Sequence, residues 1–258
     1  MMNLLLENLM PGRRRTILMD CLLVICLLIV QLSGGAQAAS SGATAVAFDD
    51  SEGIFRASDR ALIDAIIRQV ETDVRALLPA LPEGIRVSVA PLGRDLSSVG
   101  GVTGRADNPN TVVVYVSTLH EGGVEAAINT GLAAVLYHEF HHLVRGWTIA
   151  GNKFGPGVTV AAINEGLANV FSETYTRTAF TGNAYPANVS QWWEEILELP
   201  IDVNYSDWMV RHPDGREAIG YKAGSFIIRQ ALALSSYSIL ELSEMPVADI
   251  LALVNERS

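Results

Sequence analysis

Along the chain, apolar and polar positions alternate in two rhythms that change near residue 124. Leu62, Ile63, Ile66, Ile67, Val70, Val74, Leu77 and Leu78 recur at helical spacing, with Ser58 as a candidate N-cap and Pro79 and Pro82 as the stop. The segment "GIRVSVAP" places Ile85, Val87 and Val89 on one side of an extended chain, as a half-buried strand does. "SSVGGVTGRADNPNT" crowds Gly, Asn, Asp and Pro together and reads as a loop. It leads into "TVVVYVST", a β-branched run that predicts a well-buried strand. From about Val124 the period is helical. It predicts a long helix over Ala126 to Arg145 closed by Gly146, and a second over Val158 to Phe180 after the Gly-rich "TIAGNKFGPG". Shorter helices are expected over Ser190 to Leu197, Ala218 to Leu234 and Val247 to Asn255. Trp192, Trp193 and Trp208 are read as packing residues. With no internal repeat and no strong linker, the pattern predicts one α+β domain, a small N-terminal sheet followed by a mainly helical part.

The N-terminus has a different character. Arg13, Arg14 and Arg15 precede the apolar run Ile17 to Leu32, and Ala36 and Ala38 satisfy the small-residue pattern of a cleavage site. Residues 1–38 therefore read as a signal peptide that directs export to the periplasm or the extracellular space, with an uncleaved membrane anchor as the alternative. Residues 39–53, rich in Ala, Ser and Gly, are expected to be a flexible leader, and residues 54–258 the folded domain. Both cysteines, Cys21 and Cys26, lie inside the signal segment, so an exported form depends on its core, or a metal, rather than on disulfides.

At 258 residues and 49% hydrophobic content the chain can bury a sizeable core. Its formal charge of −10 argues against a nucleic-acid partner, because no cluster of Lys and Arg follows the first 15 residues.

The chemistry sits in the predicted long helix, where "YHEFHHL" contains His138-Glu139-Phe140-His141-His142, an HExxH motif. His138 and His142 stand one turn apart on one helical face and can address the same ion. Glu139 is offset enough to leave the metal and close enough to act as general base for a zinc-bound water. His141 points elsewhere and is read as a supporting or packing residue. A catalytic zinc site normally takes a third protein ligand. The metzincin continuation fails, since positions 145 and 148 are Arg and Thr. Glu165, in "INEGLANVFSE", is the favoured third ligand, with Glu173 as competitor and Asp202 or Asp207 behind it. Asn169, one turn past Glu165, is a candidate to hold a ligand histidine, or else bonds locally.

"HEFHH", "NEGLA" and the later "IGYKAG" together resemble the gluzincin-type zinc metallopeptidases, and more narrowly the predicted Zn-dependent proteases of the DUF2268 (YjaZ-like) group. The resemblance spans roughly residues 110 to 235 and rests on three short motifs in the right order. It implies a zincin-like (gluzincin) fold, a zinc cofactor held by His138, His142 and Glu165, Glu139 as catalytic base, and a peptide or protein substrate. By the same logic Tyr221 becomes the candidate for stabilising the oxyanion, with His212 as the fallback and His120 a surface residue without a role. In gluzincin folds an extended substrate pairs with an edge strand, for which "TVVVYVS" is the candidate, and "GNKFGPG" is a candidate wall of the cleft. The rival to a peptidase is a non-catalytic zinc-binding protein, exported or membrane-anchored, that uses the site for stability or partner binding. Glu139 argues for the enzyme, since a purely structural site has no use for it.

Overall fold

A computed structural model describes residues 44–152 and 157–255. The signal-peptide reading of residues 1–38 lies outside the described residues.

Four strands form one mixed sheet in the order β1-β2-β4-β3. They are β1 (Ala45–Phe48), β2 (Arg86–Leu92), β3 (Val102–Asn108) and β4 (Thr111–Ser117). β1 pairs in parallel with β2, β2 in parallel with β4, and β3 antiparallel with β4. Two sequence expectations change here. The reading of 39–53 as a flexible leader does not hold over its second half, because Ala45–Phe48 is a sheet strand. Asp50 then caps the following turn, accepting hydrogen bonds from the backbone of Ile54 and Phe55. The expected loop before β4 is itself a strand, β3, joined to β4 by the tight Pro109-Asn110 connection with Asn108 opposite Thr111. β4 is consequently an interior strand, and β3 is the edge.

One face of the sheet is apolar. Val87, Val89, Val102, Val112, Val114 and Val116 are buried there, each at alternate positions as the pleat requires. Helix α1 (Ala57–Leu77) contributes Ile63, Ile67, Val70 and Val74 to the same core. Its N-cap is Arg56, two residues before the expected Ser58, and the Asp59 carboxylate accepts hydrogen bonds from both the backbone and the guanidinium of Arg56.

The long central helix has three pieces: α2 (Gly123–Ala127), a π turn (Ile128–Leu132) and α3 (Ala133–Arg145). The π turn lies where the helix meets the loop before β3. A Cβ on Gly131 would stand 2.6 Å from the carbonyl oxygen of Gly100, so only glycine lets the two backbones meet. Gly146, at φ 66°, ends α3 in the left-handed region.

After the short α4 (Ile149–Asn152) comes α5 (Val158–Thr176), almost wholly buried over Ala161–Ser172. Helices α6 (Val189–Leu197), α7 (Tyr205–Met209), α8 (Ile219–Leu234), α9 (Ile239–Glu244) and α10 (Val247–Asn255) complete the fold. Helix α5 is sandwiched between α3 and α8. The α5–α8 crossing is close because it is made of glycine: a Cβ on Gly224 would run into the carbonyl of Ala162, and one on Gly166 into the backbone of Gly224. Trp193 and Trp208 are buried packing residues, and the Arg216 guanidinium lies over the rings of Trp192 and Trp208. The chain is thus α+β, a small N-terminal sheet followed by a mostly helical remainder. Among the described residues no helix is long and apolar enough to cross a membrane.

Candidate metal centre

Helix α3 presents His138 and His142 one turn apart, and α5, returning against it, brings Glu165 to the same point. The Nε2 atoms of His138 and His142 each lie 3.1 Å from Glu165 Oε2 and 2.9 Å from one another. Three potential ligand atoms converge on one point, an arrangement a metal ion satisfies. A tetrahedral ion with bonds of about 2.1 Å sets its ligand atoms about 3.4 Å apart, so the triangle needs to open by only about 0.4 Å. Glu165 is the third member of the expected set.

Burial pushes the Glu165 carboxyl up, but the imidazoles of His142 and His138 more than reverse this and hold it far below the usual carboxylate range. Its second oxygen is occupied: Trp147 Nε1 donates to Oε1 at 3.1 Å. Trp147 follows directly on the Gly146 cap, so the chain reversal that ends α3 also delivers this donor.

Glu139 is 5% exposed and stands outside the triad. It accepts a hydrogen bond from the Ala106 backbone, while its Oε2 is buried with no partner. Burial raises its pKa to about 7, more than the nearby His138 lowers it. The orphaned oxygen and the raised pKa are what a proton acceptor facing a water ligand of the metal would show. Gly104 makes this possible: a Cβ there would stand 2.9 Å from Glu139 Cγ and 2.8 Å from Val135 Cγ1.

Two cavities meet at these residues. One, of about 310 Å³, is lined by Trp147, Ile149, Asn152, Glu165 and Tyr205 among others. The second, of about 420 Å³, extends past Asn169, Asn183 and Lys222. Gly104, His138, Glu139 and Tyr221 line both.

A family model for DUF2268, described as predicted Zn-dependent protease, matches residues 89–252. The chain belongs to this family. No curated protein and no solved structure matched it. For this DUF2268 member the family description and the donor set point to the same ion, since two imidazoles and a carboxylate are a ligand set of catalytic zinc.

The remaining candidates of the DUF2268 chain separate clearly. Tyr221 reaches the centre from the first turn of α8 and bonds Glu165. The Glu165 charge, then burial, Tyr205 and Glu139 hold its hydroxyl well above the ordinary tyrosine value. Tyr205, unforeseen in the sequence, lines the first cavity, where burial and then Glu165 raise its pKa. Glu173 is not at the centre; it pairs with Arg229. Asp207 accepts from Asn204, and neither Asp202 nor Asp207 lines either of these two cavities. His141 is fully buried, and its Nε2 bonds Ser243 Oγ at 2.9 Å. Because Ser243 Oγ donates to the Ile239 carbonyl, His141 is the donor in that pair, tying α3 to α9. Asn169 does neither of the things expected of it: its amide donates to Ser225 Oγ on α8 at 3.2 Å. His212 pairs with Asp214 at 2.9 Å and touches Trp208, and His120 packs near Gly101; neither lines either of these two cavities. Of the expected cleft wall 151–157, Asn152 lines the first cavity, and residues 153–156 lie outside the described residues.

Proposed function

We propose that the chain is a zinc-dependent peptidase of gluzincin type that hydrolyses peptide bonds. The single observation that carries this reading is Glu139: a buried carboxylate beside the ligand triad, not part of it, with one oxygen unpartnered at the junction of two cavities. A site built for stability alone would leave that oxygen as an uncompensated cost.

His138, His142 and Glu165 would hold the ion, which when bound supplies Lewis acidity and lowers the pKa of a water to about 7. Glu139 takes the proton of the attacking water and passes it to the leaving amine. Tyr221, whose raised pKa keeps its hydroxyl protonated, donates to the oxyanion once substrate draws it from Glu165. Tyr205 stands where it can share that task. Trp147 holds Glu165 so that Oε2 faces the imidazoles. The strand that pairs with an extended substrate is β3, not β4, because β3 has the open edge and Gly104–Ala106 line the first cavity. Export is part of the same reading and rests on residues 1–38 alone; intact mass of protein recovered outside the cytoplasm should lack them, and their retention would favour an anchor.

The test compares zinc content and casein cleavage for wild type, Glu139→Gln and Glu165→Ala. Glu139→Gln should keep its zinc and lose activity about 10²–10⁴-fold, the range of general-base catalysis. Glu165→Ala should lose the zinc. Equal cleavage by wild type and Glu139→Gln, or none by zinc-loaded wild type, would defeat the proposal and favour a non-catalytic zinc-binding role.

A further inference from the structure

We infer that the second cavity is a subsite for a substrate carboxylate and that Lys222 is the residue that reads it, an inference that rests on the peptidase reading above.

The two cavities succeed one another along a single strand. The first follows Gly104, Arg105 and Ala106, the second Val102, Thr103 and Gly104. They form one cleft along the β3 edge, with His138, Glu139 and Tyr221 at its middle, so a bound chain has room on both sides of the reacting bond.

The lobes differ in their charge. In the first, the cation Arg105 is already neutralised by Asp107 at 2.6 Å and also donates to Tyr115. In the second, Lys222 is the cation, half-buried and without an ion pair among the described residues. The acid of that lobe outside the metal centre, Glu217, pairs with Arg211 at 3.6 Å and is largely exposed. Glu139 borders the lobe at the metal centre, and the polar residues beyond that centre, among them Thr103, Asn169 and Asn183, are neutral. An ammonium with three donors on a flexible stem, set in a concave lobe of a chain of formal charge −10, has one obvious complement, an anion brought by the ligand. Lys222 follows Tyr221 on the first turn of α8. An extended peptide advances about 3.3 Å per residue, so the carboxylate it meets belongs within about two residues of the cleaved bond. The source is an Asp or Glu side chain in the first instance. A C-terminal carboxylate carries the same chemistry and would make the enzyme an exopeptidase.

Internally quenched peptides carrying Glu or Gln at each position flanking a central bond, with free or amidated C-termini, separate these sources. With zinc-loaded wild type, kcat/KM should favour Glu over Gln about tenfold at one position, as a charge-assisted hydrogen bond contributes. Lys222→Gln should flatten that ratio, and Lys222→Glu should invert it toward a Lys peptide, with zinc content and circular dichroism confirming intact protein. A preference that follows the free C-terminus, and disappears in Lys222→Gln, supports the carboxylate subsite with the terminal source. Equal rates for charged and neutral peptides, or a ratio untouched in both variants, would overturn it. Anisotropy of the same labelled peptides on Glu139→Gln gives a reading independent of turnover. Glu-selective, Lys222-dependent binding without cleavage by wild type would sink the peptidase reading and sustain the subsite; unselective binding would sink the subsite.

Discussion

The indole of Trp147 donates to Oε1 of Glu165 at 3.1 Å, on the side away from Oε2, which faces His138 and His142. A monodentate ligand held from behind has a defined direction, and neighbours that orient metal ligands contribute about 10–100-fold to affinity. Trp147→Phe keeps the ring and removes the donor. Zinc affinity, measured by chelator competition, should fall about tenfold or more. The thermal midpoint of the metal-free protein should barely move, which distinguishes lost orientation from lost packing.

The glycines of two motifs act in packing, one step behind the chemistry. Gly166 and Gly224 let α5 and α8 touch backbone to backbone, which is how Tyr221 arrives beside Glu165. In Gly224→Ala the new methyl faces the carbonyl of Ala162, which no rotamer change can relieve. Destabilisation of about 3 kcal/mol or more is expected, against overpacking costs of about 1–3 kcal/mol where side chains can yield. Thermal unfolding should fall by roughly 6–12 °C for a domain of this size. Gly93→Ala, with open space around it, is the control and should stay close to wild type.

Much of the centre was legible because a helix converts spacing into direction. His138, Glu139 and His142 on α3, and Glu165 on α5, needed only helical period and motif order to be paired. What was illegible arrives by other routes. Trp147 and Tyr205 come from a helix cap and a short helix, whose positions depend on tertiary contacts rather than on period. β3 was hidden because "VTGRADN" carries few β-branched residues, and its register shifts between Ala106 and Asn108. Its strand character comes from pairing with β4, and its Gly104, a strand breaker by propensity, is what the adjacent Glu139 requires. β1 was obscured in the same way by the Ala, Ser and Gly around it.

Gly104 also yields a direct test of how Glu139 is placed. A Cβ at 2.9 Å from Glu139 Cγ must displace that side chain or lift β3 from α3. Gly104→Ala should retain zinc, whose ligands it does not touch, and lose about 10²-fold in kcat, the cost of an ångström-scale misplacement of a catalytic group. Loss of zinc together with activity would show that the strand acts on the whole centre instead.

The raised pKa of Glu139 makes a prediction about the metal-free protein that needs no substrate. Unfolded, this carboxyl titrates near 4.5; folded, burial moves it to about 7. The folded state therefore binds the proton more tightly than the unfolded state. Its contribution is fully present below about pH 4.5 and is lost as pH rises through about 7. A shift from 4.5 to about 7 corresponds to about 3 kcal/mol at about 1.36 kcal/mol per unit. Glu139→Gln has no such proton to lose, and the other titrating groups are common to both proteins. The stability of metal-free Glu139→Gln relative to wild type, from urea unfolding, should accordingly rise by about 2–3 kcal/mol between pH 5 and pH 8. A difference that stays flat over this interval would mean that the carboxylate finds a partner in the folded chain, and that its orphaned oxygen is not held ready for a proton.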